Sequence, residues 1–278
     1  MTADVERLTA ISLGAGVQST TLALMAARGE IEPMPDCAIF ADTQSEPRAV
    51  YDHLAWLRSP NVLPFPVHVV TAGSLRDDML RGTNSGGEKR FAAIPYFLDQ
   101  DNGHFGMGQR QCTSEYKIAP IGWKLRQMLG VDRRAPIPPG TVEVWIGITT
   151  DEAHRMKASR VAWRTNRWPL IEARMSRADC IAWLTRHDYP TPPKSACSFC
   201  PYRSDEQWIR MKATDPAAWA ESVAVDEAIR QRHLRLALHA TPYLHRSRQP
   251  LAEVDFRSWA ERGQSDLFGE ECEGMCGV

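Results

Sequence analysis

The chain has 278 residues, 43% hydrophobic and 24% charged, with a formal net charge of -1 at pH 7. That length suits one sizeable domain with appendages, or two small domains around a shared core. The near-neutral balance excludes a globally basic nucleic-acid coat but leaves room for local basic patches. The opening MTADVERLTA has no long apolar core, and no later stretch is long enough to cross a bilayer, so a cytoplasmic location without membrane partners is expected. In a reducing compartment the seven cysteines (37, 112, 180, 197, 200, 272 and 276) are expected to be ligands, reactive thiols or buried apolar residues rather than disulfides.

Residues 8 to 13 read as a buried strand, followed by a Gly-rich turn, an apolar helix over Val17–Ala27 and a second strand over Asp36–Ala41. Helix is expected over Glu46–Leu57, strand over Pro66–Thr71 and a short helix over Ser74–Leu80. This alternation implies an α/β protein with a parallel sheet. Residues 82 to 111, rich in Gly and polar residues and without period, read as an active-site loop. A helical stretch between Thr113 and Leu129 is interrupted by Pro120, and Val142–Ile148 reads as the next strand. Ser176 caps a helix to about His187, with two more over Ser204–Lys212 and Pro216–Arg232. Beyond about 240 the pattern suggests an extended tail draped over the domain rather than a second core. The expected division is an α/β domain over 1–175 and a helical region over 176–278 carrying a C-x-x-C and a cysteine-containing tail.

The first chemical signal is Ser12-Leu13-Gly14-Ala15-Gly16-Val17-Gln18-Ser19-Thr20, where a strand ends and a helix begins. Glycines let backbone approach an anion, the helix start offers unpaired N–H groups, and Ser12, Ser19 and Thr20 add hydroxyls. No Walker lysine follows and the dinucleotide fingerprint does not fit. A merely tight β–α turn would have a similar composition. The loop resembles that of the PP-loop ATP pyrophosphatases (adenine nucleotide alpha hydrolase-like), whose form is Ser-x-Gly-x-x-x-Ser. Ser12, Gly14 and Ser19 match with one extra residue, as in the phosphosulfate reductase branch.

Further motifs follow in that family's order. Phe40-Ala41-Asp42-Thr43-Gln44-Ser45-Glu46-Pro47 resembles its second-strand motif, and Gly147-Ile148-Thr149-Thr150-Asp151-Glu152-Ala153-His154-Arg155 resembles its Gly-Ile-Arg-x-x-Glu-Ser-x-x-Arg segment. Asn166-Arg167-Trp168-Pro169-Leu170-Ile171 resembles its Tyr-Pro-Leu-Ile stretch. The resemblance spans about residues 8 to 210. It implies a parallel twisted sheet with helices on both faces, and ATP or an adenylyl-type nucleotide held by Ser12, Gly14, Gly16, Gln18, Ser19, Thr20, Asp42, Thr43, Gly147, Glu152 and Arg155. Thr149 and Ala153 depart from the family's Arg and Ser. Asp42 and Glu152 read as ligands of Mg2+ or of the ribose, or as helix caps.

Cys197-Ser198-Phe199-Cys200-Pro201 is a C-x-x-C whose alternatives are half a zinc site, a redox pair or an iron–sulfur site; its position late in the chain disfavours the thioredoxin reading. Cys112, in Cys112-Thr113-Ser114-Glu115-Tyr116-Lys117-Ile118-Ala119-Pro120, resembles the family's Cys-Thr-x-x-x-Lys-x-x-Pro segment. The resemblance implies that Cys112, Cys197 and Cys200 share a 4Fe-4S cluster, with Lys117 neutralising cluster or phosphate charge. The tail Glu271-Cys272-Glu273-Gly274-Met275-Cys276-Gly277 is expected to supply the fourth ligand from either cysteine, Cys272 being preferred and Cys276 then the reactive thiol; it also resembles the Glu-Cys-Gly segment that carries the nucleophilic thiol of phosphosulfate reductases. Cys37 and Cys180 read as buried apolar residues.

Arg155, Lys157, Arg160, Arg164 and Arg167, interleaved with Trp163 and Trp168, suit a phosphate-rich or stacked-base ligand, the alternative being a solvated lid. His233, His239 and His245 lack metal-site spacing and read as surface or core.

Three functions compete. The leading expectation is an ATP-dependent sulfurtransferase that adenylates a nucleic acid or metabolite and inserts sulfur, as in DNA phosphorothioation, fed by a donor such as a cysteine desulfurase. The second is an adenylyl or phosphoadenylyl sulfate reductase working with thioredoxin. The third is a nucleotide-binding regulatory module without turnover. A homodimer is left open.

Overall fold

A computed structural model describes residues 7–89, 93–100, 104–235 and 240–256. In chain order the elements are β1 (Leu8–Leu13), α1 (Val17–Ala27), β2 (Cys37–Asp42), α2 (Arg48–Leu57), β3 (Val67–Thr71), α3 (Leu75–Arg81), β4 (Phe97–Gln100) and β5 (Phe105–Met107). There follow α4 (Ala119–Met128), β6 (Val142–Ile146), β7 (Arg164–Arg167), α5 (Pro169–Glu172), α6 (Arg177–Arg186), α7 (Asp205–Thr214), α8 (Pro216–Arg235) and β8 (Ala240–Tyr243).

Five strands form a parallel sheet in the order β3-β2-β1-β6-β7. The period-two alternation of the buried strands sorts their side chains between two cores. Ile11, Leu13, Ala38, Phe40 and Trp145 face one side with α1, α2 and α6, while Ala10, Cys37, Ile39, Val144 and Ile146 face the other with Ile121 and Leu125 of α4. Helices therefore cover both faces, as expected of an α/β protein. Fully burying a side chain such as Ile11 or Phe40 contributes roughly 1.5–3 kcal/mol, and these strands are almost continuous rows of such residues. Among the described residues the outer strands are β7, which opens and closes on arginines, and β3, whose Val69 is exposed.

The helix boundaries follow local chemistry. Ser74 accepts from the Asp77 amide, and Ser176 and Ser204 each form a reciprocal capping box, with Asp179 and Gln207. Around Pro120 the expected interruption is a π-helical turn over Ser114–Ile118 that runs directly into α4. Proline carries no N–H for the regular ladder, and a π-turn absorbs the mismatch.

Two expectations are corrected. The segment over 82–111 is not a structureless loop: it supplies β4 and β5, and Ser85 donates through both its amide and hydroxyl to Glu115. Nor is the region after 240 only a draped tail. β8 pairs antiparallel with β4, and Leu244, Leu251, Val254 and Phe256 join Tyr96, Phe199, Trp208 and Val225 in a second core. Strands this short, with a proline in β8, carry too little periodicity to read, and the β4–β8 pairing joins segments about 140 positions apart. β7 was likewise hidden inside the basic run. Among the described residues no helix is long and apolar enough to cross a membrane.

Candidate active site

The chain leaves β1 toward one side of the sheet and returns to β6 on the other, so a crevice opens at the carboxyl ends of these neighbours, the place where open α/β sheets bind ligands. The loop from Gly14 to Gly16 lies there. Ala15 has φ of 57°, in the left-handed region, which costs an L-residue about 1 kcal/mol. Gly14 donates its amide to the Ser19 hydroxyl at 3.2 Å, and that hydroxyl donates in turn to the Gly16 carbonyl at 3.4 Å. Gly147, just past β6, backs onto the first turn of α1: a Cβ there would stand 2.9 Å from the Ser19 amide nitrogen and 3.0 Å from its Cα. The absence of that Cβ lets the two strand ends close on one helix N-terminus.

Glu152 reaches the same turn. Its carboxylate accepts from Gln18 Nε2 at 3.1 Å and pairs with Arg155 at 2.6 Å, and Arg155 is buried. Asp42, at the end of β2, accepts from the Gln44 amide at 2.7 Å and from the Tyr51 hydroxyl at 2.8 Å; burial, first, and this hydrogen bond push the Tyr51 phenol above its ordinary range. Ser12 is buried on β1. Thr20 is fully buried and turned inward, its hydroxyl 3.0 Å from His53 Nε2, and burial lowers the His53 pKa to about 4.

The sulfur residues form the other half. Cys112, Cys197 and Cys200 line one pocket with Thr43, Arg110 and Lys117. Cys112 is set by its amide bond to the Ala93 carbonyl at 2.8 Å, and Lys117 pairs with Glu46 at 3.3 Å with both side chains buried. The C-x-x-C loop is held from two directions. Arg203 donates to the carbonyls of Ala196, Cys197 and Ser198, each at 3.0 Å, while the Ser198 amide donates to the Ser45 carbonyl at 2.8 Å. The Thr43 hydroxyl lies 3.4 Å from Cys197 Sγ. Residues 43–46 thus join the β2 strand end to the cysteine loop.

Neither Cys272 nor Cys276 falls within the described residues, and no group of three His, Cys, Asp or Glu side chains poised to hold a metal ion occurs among them. Cys37 and Cys180 are fully buried in the two sheet cores, and desolvation pushes both thiols up to about 12. Within the basic run, Arg155 reaches the crevice, while Arg167 is engaged by Glu172 at 2.7 Å and lies over Trp145. Arg164 sits beside the Ser159 hydroxyl; Lys157 and Arg160 are exposed. His245 is buried against Asp205 at 2.9 Å; His239 lies outside the described residues. Ser45, Glu46, His53 and Arg203 were not singled out from the sequence. Ser45 and Glu46 lie within the second-strand motif and Arg203 three residues past Cys200, whereas His53 carried no positional hint.

No family model matches the chain, and no curated protein matches it. Among solved structures it is similar to phosphoadenylyl-sulfate (PAPS) reductase from Candida auris, phosphate complex, at 14% identity and a TM-score of 0.41, covering 68% of this chain and 78% of that one.

Proposed function

We propose that the chain is an ATP-using, iron–sulfur-dependent sulfurtransferase. The observation that carries this reading is the junction at residues 43–46: a crevice suited to anions and a pocket lined by three thiols share one strand-end segment. The amides at the start of α1 and the Gly14–Ser19 loop would hold phosphates, with Mg2+ arriving on them, and Arg155 and Lys117 would offset their charge. Attack by an acceptor oxygen on the α-phosphorus would expel pyrophosphate. The terminal sulfur of a protein persulfide would then displace the adenylated oxygen and release AMP, and an external dithiol reductant would cleave the disulfide so formed to free the thiolated product and restore the carrier thiol. Such chemistry needs positioning and electrostatic stabilisation rather than a strong base.

The donor set fits an iron–sulfur centre. In a cluster each thiolate binds a different iron, and three cysteines lining one pocket would supply three such ligands. Cys112, Cys197 and Cys200 would hold it, with Cys272 as fourth ligand and Cys276 as the reactive thiol. When bound, the cluster would supply a soft centre for sulfur. Nucleic acid is the proposed acceptor and a cysteine desulfurase the proposed donor.

The test is anaerobic. The full chain is supplied with ATP, DNA or tRNA and a desulfurase, and separately with adenylyl sulfate and thioredoxin, and iron is counted in Cys→Ala variants. Pyrophosphate release dependent on the nucleic acid, with iron lost on changing Cys112, Cys197 or Cys200, is the expected result. Sulfite from adenylyl sulfate without pyrophosphate would replace this reading by the reductase.

A further inference from the structure

Ser195, two residues before Cys197, belongs to the chain that carries the cysteine loop back across the start of α1. A Cβ built on Gly16, the N-cap of α1, would lie 3.6 Å from the Ser195 Cβ and 3.9 Å from its amide nitrogen, so Ser195 forms a wall of the helix N-terminus. Its hydroxyl oxygen is buried without a hydrogen-bond partner. A buried hydroxyl is normally satisfied, and an orphan beside the helix-end amides points to a ligand that satisfies it; Thr149, two residues past Gly147, is a second fully buried hydroxyl without a partner. Three residues beyond Ser195, Ser198 is fastened to Ser45 through both its amide, at 2.8 Å, and its hydroxyl, at 3.3 Å.

We propose that Ser195 is a further nucleotide-binding residue: its hydroxyl donates to a phosphate oxygen held at the N-terminus of α1, and the bound nucleotide thereby braces residues 195–198, and Cys197 with them, against the end of β2. The inference rests on the nucleotide reading of the crevice given above. It makes the loop that carries the cysteines part of the phosphate cradle, so occupancy of one site is felt at the other without a separate relay.

The experiment titrates the full chain, purified anaerobically, with ATP and with adenylyl sulfate by calorimetry, for wild type, Ser195→Ala and Ser195→Asp. Hydrogen exchange over residues 195–201 is followed at equal nucleotide saturation. Ser195→Ala should weaken binding about tenfold, the loss of one hydrogen bond to a charged group, with an unchanged melting temperature, and Ser195→Asp should weaken it further by charge repulsion. Nucleotide should slow exchange of the Ser198 amide in wild type and lose that effect in Ser195→Ala. Affinity of Ser195→Ala within twofold of wild type, or undiminished protection in that variant, overturns the inference and leaves the nucleotide reading intact. Binding of neither nucleotide by wild type removes both. If Ser195→Asp does not fold, the Ser195→Ala titration decides alone.

Discussion

The crevice and the cysteine pocket adjoin each other but are built in opposite ways. The crevice is made of backbone: strand ends, a left-handed Ala15, and a missing Cβ at Gly147 that lets two loops close on one helix. The pocket is made of side chains brought from residues 43–46, 110–117 and 197–203, held by a buried ion pair and by a guanidinium on three carbonyls. Backbone sites survive most side-chain changes and fail on a single added methyl; side-chain sites fail when one charge is removed. Substitutions on each side should therefore have different signatures.

The largest effect is expected in the pocket. Lys117→Met leaves the Glu46 carboxylate buried without its lysine, which should cost about 3–4 kcal/mol of stability in a denaturant titration. A loss below about 1 kcal/mol would mean that the pair is solvated, and would dissolve the contrast. In the crevice, Gly147→Ala forces a methyl toward the Ser19 backbone, which cannot swing away as a side chain can. It should cost about 2 kcal/mol and abolish ATP binding, while Lys117→Met, where it folds, should weaken that binding only by the loss of one offsetting charge. Equal loss of nucleotide affinity in both variants would show that the two regions act as one site.

The smallest effect concerns the back of the crevice. His53 is held neutral by burial, with a folded pKa of about 4 against an ordinary 6.5. Between these values the unfolded chain binds the proton and the native one does not, so the contribution of His53 is present above pH 6.5 and is lost as pH falls toward 4. His53→Gln should flatten the fall in melting temperature across that window. An unchanged slope would place the pH sensitivity elsewhere.

How much of this was legible follows from the same contrast. β1, α1, β2 and β6 declare themselves because apolar runs and their Gly-rich ends are local signals, and the Gly-rich loop could be placed at its strand–helix junction from residues 12 to 20 alone. The three pocket cysteines were readable as residue types. Their arrangement was not: Glu46 meets Lys117 from 71 positions away, and Ser45 meets Ser198 from 153. β4, β5 and β8 are not legible because each is four residues or fewer, and β4 and β8 pair only across distant chain. The Thr20 hydroxyl, expected from its place in the motif to meet a ligand, lies against His53 Nε2, a contact that no local signal announces.

The two borders of the main sheet also differ, with a practical consequence. Among the described residues β7 forms one border and opens and closes on Arg164 and Arg167, charged residues of the kind that disfavour docking of a second strand. At β3 the border reads Val67-His68-Val69-Val70-Thr71, with Val69 exposed and no lysine or arginine among the five residues. Strand-to-strand self-association of the folded protein at high concentration is therefore directed to β3, and a single lysine at position 69 is the place to improve its behaviour in solution.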